Sequence, residues 1–198
     1  MGIDASLVKE LRSISGGGVL DCKKALEETG GNIDEALKLL RERGLKVAAK
    51  KAEREAREGT VAAYLHNGGR IGVLVEVNCE TDFVARTEEF QAFCKQVAMQ
   101  IAAFEPLAVN REEIPQATID NEKDIYRAQL REAGKPEAMI EKIVEGRLEK
   151  FYEEVCLLDQ EWIHDAEAGR VADVLKALIA KIGENVVIRR FSRFQIGS

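Results

Sequence analysis

TVAAYLHNGGRIGVLVEVNC, residues 60–79, is the stretch that decides the fold. Its two apolar runs flank NGGR (67–70), and an Asn-Gly pair between two such runs is typical of a β-hairpin. In the second run, alternate residues share one face of a strand: Ile71, Val73, Val75 and Val77. The stretch therefore predicts two antiparallel strands with one buried face.

The chain that follows the hairpin is mainly helical in pattern. An apolar stripe that begins near Thr87 predicts a long helix, formed by Phe90, Phe93, Cys94, Val97, Ile101 and Phe104. Further helical patterns lie at 122–133, after Pro136 and over 171–182, whereas 107–121 is expected to be irregular. These helices are long enough to cover one face of a small sheet.

One more strand is expected after the last of these helices. VVIRRFSRF (186–194) has uneven alternation, which indicates a bulge or an edge position. CLLDQEWIH (156–164) is expected to be a strand or extended chain. Residues 59–198 therefore predict an α+β core, in which helices pack on a largely antiparallel sheet.

Residues 1–45 predict a small bundle of three helices. The first helix has four apolar residues at helical spacing: Ile3, Leu7, Leu11 and Ile14. SGGG (15–18) stops it, and Gly30-Gly31 ends the second helix. Asn32 is placed to cap the third. The alanine-rich, charged segment 46–58 then predicts a solvated linker helix before the core.

Composition excludes several classes of protein. Lys+Arg number 29 against 35 Asp+Glu, a net charge of -6, which argues against direct binding to nucleic acid. No apolar run approaches the ~20 residues that cross a bilayer. MGIDASLVKELRS at the start has no basic region followed by an apolar core, so no secretory signal is expected. The chain is expected to be cytoplasmic, with no contact with membranes.

The cysteines and histidines do not form a recognisable catalytic or metal site. The four cysteines lack the close spacing of metal sites and disulfide frameworks: Cys22, Cys79, Cys94 and Cys156. A dyad of Cys79 with His66 has no orienting third group. GGG (16–18) before Lys23 does not fit the phosphate-loop pattern. The sequence therefore predicts a protein that is not an enzyme and holds neither metal nor cofactor.

Two pairs of residues remain open between a structural and a functional role. Asp82 and Phe83 follow the second strand; they could cap the next helix and fill the core, or they could face a partner. Val19 and Leu20 open the second helix beside the glycine turn. They could pack against the linker or form an exposed docking patch.

Several stretches resemble bacterial elongation factor Ts over essentially the whole chain. LVKELRSISGGGVLDCKKALEETGGNIDEAL (7–37) is similar to that family's N-terminal module, and EVNCETDFVAR (76–86) to its central signature. EGRLEKF, LLDQ and IRRF occur later in the expected order. Ser15 and Gly17 depart from the usual residues. A single core unit is similar to the family's short form, which acts as a homodimer, with the C-terminal strand a candidate contact.

The resemblance implies guanine nucleotide exchange on elongation factor Tu, a GTPase of translation. It implies a ubiquitin-associated-like bundle that docks on this GTPase and a core that provides the dimer and GTPase contacts. Four residues would reach the region beside the partner's Mg²⁺: Thr81, Asp82, Phe83 and Val84. Phe83 would act as a wedge and Asp82 would make polar contacts, while the chain itself binds no nucleotide. The alternative is a non-catalytic adaptor built on the same bundle.

Overall fold

The structure is a computed structural model that describes residues 3–197. These residues form two compact units. The bundle unit comprises the chain up to Gly59 together with Asn78–Phe90 and Asp173–Val187. The sheet unit comprises Thr60–Val77, Gln91–Ala172 and the chain from Ile188 onward. Five of the helices and strands described below contribute residues to both units.

Three helices begin the bundle unit: α1 (Ala5–Ser15), α2 (Val19–Glu28) and α3 (Ile33–Lys51). Gly16 ends α1 at φ 65°, a left-handed conformation that favours glycine. The Asn32 side chain accepts from the Glu35 amide and caps α3, as predicted. The buried core of the three helices consists of Leu11, Cys22, Ala25, Leu26 and Ala36. The three-helix prediction is therefore confirmed.

Two details of the N-terminal prediction are wrong. Ile14, expected on the inner face of α1, is mostly exposed, because helical spacing predicts a shared face and not which end of that face is covered. Residues 46–51 continue α3, so no separate linker helix spans 46–58. The chain turns after Lys51 and enters the first strand at Glu58. The division into 1–45, 46–58 and 59–198 otherwise stays a prediction.

The sheet has three antiparallel strands in the order β1 (Glu58–His66), β2 (Ile71–Cys79) and β3 (Val186–Gln195). The hairpin turn runs through Asn67 at φ 50° and Gly68 at φ 64°, as the Asn-Gly pair predicts. Alternate β2 residues are buried, namely Val73, Val75, Val77 and Cys79. β3 lies at an edge, and its alternation is broken where Arg189 and Arg190 are both exposed.

Five helices follow β2 along the chain: α4 (Asp82–Ala85), α5 (Glu88–Phe104), α6 (Gln116–Glu132), α7 (Glu137–Val155) and α8 (Val171–Ile182). α6 begins directly after Pro115, so the expected irregular region is shorter than predicted. α6 and α7 form an antiparallel hairpin with buried Leu130, Ile140 and Val144. Among the described residues, no helix has the length and apolar character needed to cross a membrane.

The segment after α7 is neither a strand nor freely extended. It contains a short 3-10 turn, Leu157–Asp159, and isolated β-bridges at Cys156 and Glu161. Two buried glutamines of the sheet unit hold it. Gln160 donates to the Glu154 carbonyl at 2.8 Å, and Gln100 donates to the Glu161 carbonyl at 3.0 Å. Satisfied buried amides of this kind fix an irregular backbone that no periodic pattern predicts.

Asn185 provides a test of how the bundle unit is held together. Its side chain is buried, and its amide donates to the carbonyls of Arg54 at 2.7 Å and Ala52 at 3.4 Å. Asn185→Ala leaves both carbonyls without this donor, which should lower the free energy of unfolding by about 1–3 kcal/mol. Urea denaturation measures the change. The exposed Asn121→Ala on α6 is the control, and equal midpoints for the two variants would contradict the assignment.

Candidate functional site

The turn after β2 is held by two threonine caps. Thr81 caps α4, since its hydroxyl oxygen accepts from the Val84 amide at 3.4 Å. The Thr87 hydroxyl donates to the Val84 carbonyl at 2.8 Å and accepts from the Phe90 amide at 3.3 Å, which caps α5. Side-chain oxygens at such positions satisfy helix amides that would otherwise lack a partner. We call residues 81–87 the capped turn.

Phe83 projects from the capped turn into solvent. Its side chain is 78% exposed, whereas Phe90, seven residues later, is fully buried. The structural alternative, in which Phe83 fills the core, is therefore wrong. Val84 is half-buried and Ala85 is buried beneath the turn. The capped turn therefore holds a large aromatic ring in solvent, where it is accessible to a partner.

Asp82 lies beside Phe83 but does not cap a helix, because Thr81 and Thr87 occupy the two cap positions. Its carboxylate instead accepts from Arg86 at 2.7 Å, one helical turn on. Both side chains are well exposed, and an exposed pair at this spacing contributes about 0.3–0.5 kcal/mol. Asp82 can therefore exchange this contact for another at little cost. The sequence argument did not identify Arg86.

Glu184 holds the start of the capped turn. Its carboxylate oxygens accept from the Thr81 amide at 3.0 Å and from the Thr81 hydroxyl at 2.7 Å. Hydrogen bonds to a charged acceptor are among the stronger ones in proteins. Sequence reasoning missed Glu184, which follows α8 and is separated from Thr81 by 103 positions. No local spacing signals a contact over that distance.

A second exposed apolar group lies at the junction of α1 and α2. Val19 and Leu20 are the first two residues of α2, and both are exposed. Ile14, which was not predicted to be exposed, lies just before the same glycine turn. A Cβ at Gly17 would lie 3.2 Å from Ser15 Oγ and 3.3 Å from Cys22 Sγ, so a larger residue there would push these two side chains aside.

Among residues 3–197, the thiol of Cys79 and the two histidines make separate contacts. All four cysteines lie within residues 3–197, where they are buried and form no disulfide. The Cys79 thiol donates to the Thr81 carbonyl at 3.1 Å, and burial raises the pKa of Cys79 to about 11. His66 instead contacts the Tyr64 hydroxyl at 3.0 Å. Within residues 3–197, no group of His, Cys, Asp and Glu side chains could hold a metal ion.

A family model and the similar proteins found by sequence comparison point to the same family. The model of the family described as Elongation factor TS matches residues 6–169. Elongation factor Ts of Caldanaerobacter subterraneus subsp. tengcongensis is 59% identical over 195 residues, covering 98% of this chain and 97% of the relative. Elongation factor Ts of Geobacter sulfurreducens is 55% identical over 197 residues, covering 100% of this chain and 91% of the relative.

A third relative matches over almost its entire length. Elongation factor Ts of Thermosipho melanesiensis is 55% identical over 195 residues, covering 98% of this chain and 99% of that protein. The α+β fold and these similarities together define a translation elongation factor. Within that class, the chain belongs to the elongation factor Ts family.

The raised pKa of Cys79 leads to a test of the capped turn. Only the thiolate is nucleophilic, and a pKa of about 11 leaves almost no thiolate at neutral pH. Iodoacetamide at about pH 8 should therefore modify Cys79 far more slowly in the folded protein than in urea, where a free thiol has a pKa near 8.5. Peptide mass spectrometry measures both rates. Fast modification of Cys79 in the folded chain would show that the turn is open.

Proposed function

We propose that this protein binds elongation factor Tu and accelerates release of its GDP, so that GTP can be loaded during translation elongation. The capped turn would act at the partner's Mg²⁺ and phosphate site through Thr81, Asp82, Phe83 and Val84. The observation that supports this most is the 78% exposure of Phe83 on a hydrogen-bonded turn. Membership of the elongation factor Ts family supplies the class of partner.

The proposal needs no nucleotide site on this chain. The affinity of a GTPase for GDP comes largely from the metal ion that bridges phosphate oxygens and from backbone amides around the phosphates. A protein that binds the nucleotide-free GTPase better than the GDP complex weakens the GDP affinity by linkage. Such a factor is not an enzyme in the chemical sense and carries neither metal nor cofactor. It acts where translation takes place, in the cytoplasm.

Each part of the capped turn has a role in this scheme. Phe83 is the wedge, since its ring is already free of the core and its insertion between partner side chains would bury apolar area. Asp82 exchanges its exposed contact with Arg86 for polar contacts that hold the displaced state. Thr81 and Val84 position this pair. The buried end of the turn fixes the position of Phe83 relative to the rest of the bundle unit.

The N-terminal bundle provides a separate docking surface in the proposal. Val19 and Leu20 would bind the GTPase domain of elongation factor Tu, and Ile14 would extend the apolar surface. Docking through the bundle supplies affinity, while the capped turn supplies the difference in affinity between nucleotide states. Only the second of these changes the nucleotide exchange rate at saturation.

A homodimer is also part of the proposal, with the outward sheet face as the subunit contact. Four exposed apolar side chains lie on the three strands: Val61, Leu65, Leu74 and Phe194. Leu65 approaches the Gly72 position at 3.4 Å, so the outward residues of β1 and β2 share one surface. Exposed apolar side chains on one face of a sheet are suited to a contact between subunits. β3 contributes Phe194, in line with the expected role of the C-terminal strand.

Removal of the Phe83 ring tests the exchange activity. Phe83→Ala should slow protein-stimulated release of a fluorescent GDP analogue from elongation factor Tu by roughly 30-fold, which corresponds to a hot spot of about 2 kcal/mol. The control is Phe104→Ala, a phenylalanine that is also exposed but lies at the end of α5. Full activity in Phe83→Ala would remove the wedge role. Binding of the GTPase without any acceleration by the wild-type protein would favour the adaptor alternative.

A charge on the outward sheet face tests the homodimer. Leu65→Lys should convert the dimer to monomer in sedimentation velocity, because two lysines would face each other or apolar side chains across the contact. Leu20→Lys is a matched control, since Leu20 is 71% exposed and Leu65 is 72% exposed. The control should remain dimeric. A dimer that survives Leu65→Lys would place the subunit contact elsewhere.

A further inference from the structure

The capped turn depends on a residue outside the central signature. Glu184 lies in the connection between α8 and β3, directly after Gly183 at φ 82°. One carboxylate oxygen accepts from the Thr81 hydroxyl and the other from the Thr81 amide. Thr81 is the residue that caps α4, so the same hydroxyl serves both the cap and Glu184. The two contacts fix the first residue of the turn from outside.

The connection that carries Glu184 is itself held on both sides. The backbone N–H of Asn185 donates to the Glu80 carboxylate at 2.6 Å, and the side-chain NH₂ of Asn185 donates to the Arg54 carbonyl at 2.7 Å. Lys51, the last residue of α3, donates to the Gly183 carbonyl. All of these residues belong to the bundle unit. Glu184 is therefore a carboxylate on a fixed backbone rather than a mobile surface side chain.

We propose that Glu184 is a positioning residue for nucleotide exchange, which sets the angle at which the capped turn presents Phe83. The proposal rests on the proposed function of that turn. Glu184 does not need to contact the partner for this role. It acts through Thr81, and its removal would let the first residue of the turn rotate while the fold and the Phe83 ring remain present.

This role predicts a particular kinetic signature. The bundle can dock on the GTPase whatever the orientation of the turn, so the concentration for half-maximal stimulation should change little. Within the docked complex, only the fraction with a correctly oriented turn accelerates GDP release. The maximal rate should therefore fall. A general loss of folding would instead lower the unfolding temperature and the fraction of active protein.

Glu184→Gln is the test variant, because it keeps the shape and leaves one carbonyl oxygen as acceptor. The Gln side chain carries no charge and its NH₂ group can only donate, so both contacts with Thr81 are weakened. We expect the maximal rate of GDP release to fall about tenfold, the size of one lost charged hydrogen bond, with a half-saturating concentration within about twofold of wild type. The matched control is Glu89→Gln, whose carboxylate pairs with Lys181 of α8. The control should keep the wild-type maximal rate.

Variants of Thr81 separate positioning from general stability. Thr81→Ser keeps both donors and should retain the maximal rate, whereas Thr81→Val loses the hydroxyl and should resemble Glu184→Gln. Combining Thr81→Val with Glu184→Gln should cost less than the sum of the two single changes, because the hydroxyl contact that Thr81→Val removes is one of the two contacts that Glu184→Gln weakens. Additive losses, or an unchanged rate in Glu184→Gln beside an active wild-type protein, would overturn the positioning role.

Hydrogen exchange tests the contact without the GTPase. In Glu184→Gln the Thr81 and Val84 amides should lose protection, while amides of α3 keep it; Glu89→Gln should change neither set. Unchanged protection of Thr81 would overturn the inference regardless of the exchange assay. A wild-type protein that fails to stimulate GDP release would remove the proposed function, and the amide protection would still report whether Glu184 holds the turn.

Discussion

Burial of alternate residues along β2 is the constraint on which the rest of the structure depends. Val73, Val75, Val77 and Cys79 are all buried, and a slip of one residue would expose the whole set. The register of the hairpin is therefore fixed up to the last residue of the strand. Because Thr81 follows only two positions later, a fixed strand end determines where the capped turn begins.

The capped turn combines strong contacts at its base with weak contacts at its tip. Two hydrogen bonds to a carboxylate hold Thr81, whereas Asp82 has an exposed ion pair and the Phe83 ring is 78% exposed. Full burial of such a ring is worth about 1.5–3 kcal/mol. In the free chain this stabilisation is not realised, so it remains to be gained in a complex. This arrangement favours a surface that binds by insertion.

Local pattern predicted most of the fold and singled out the exposed residues of the candidate site, but not Glu184, which holds them in place. The hairpin, the three N-terminal helices and the stripe of α5 followed from spacing, since each depends on neighbours within one or two turns. Phe83 was singled out by its position after a strand and by the family resemblance. Glu184 could not be found in this way, because its contact with Thr81 depends on how α8 and β3 are connected. The end of α3 was misplaced since alanine and charged residues favour helix on both sides of Lys51.

The distant support also explains why the exposed ring need not be mobile. A ring on a free loop would lose its conformational freedom on binding, which offsets much of the area that it buries. Here the ordering is already complete in the free protein, because Glu184, Thr81 and Thr87 fix the turn with side-chain hydrogen bonds. In the proposed complex, more of the free energy from burying Phe83 is then left to stabilise the displaced state of the partner. In the proposed mechanism, a residue 103 positions from Thr81 thereby affects how much free energy the insertion of Phe83 makes available.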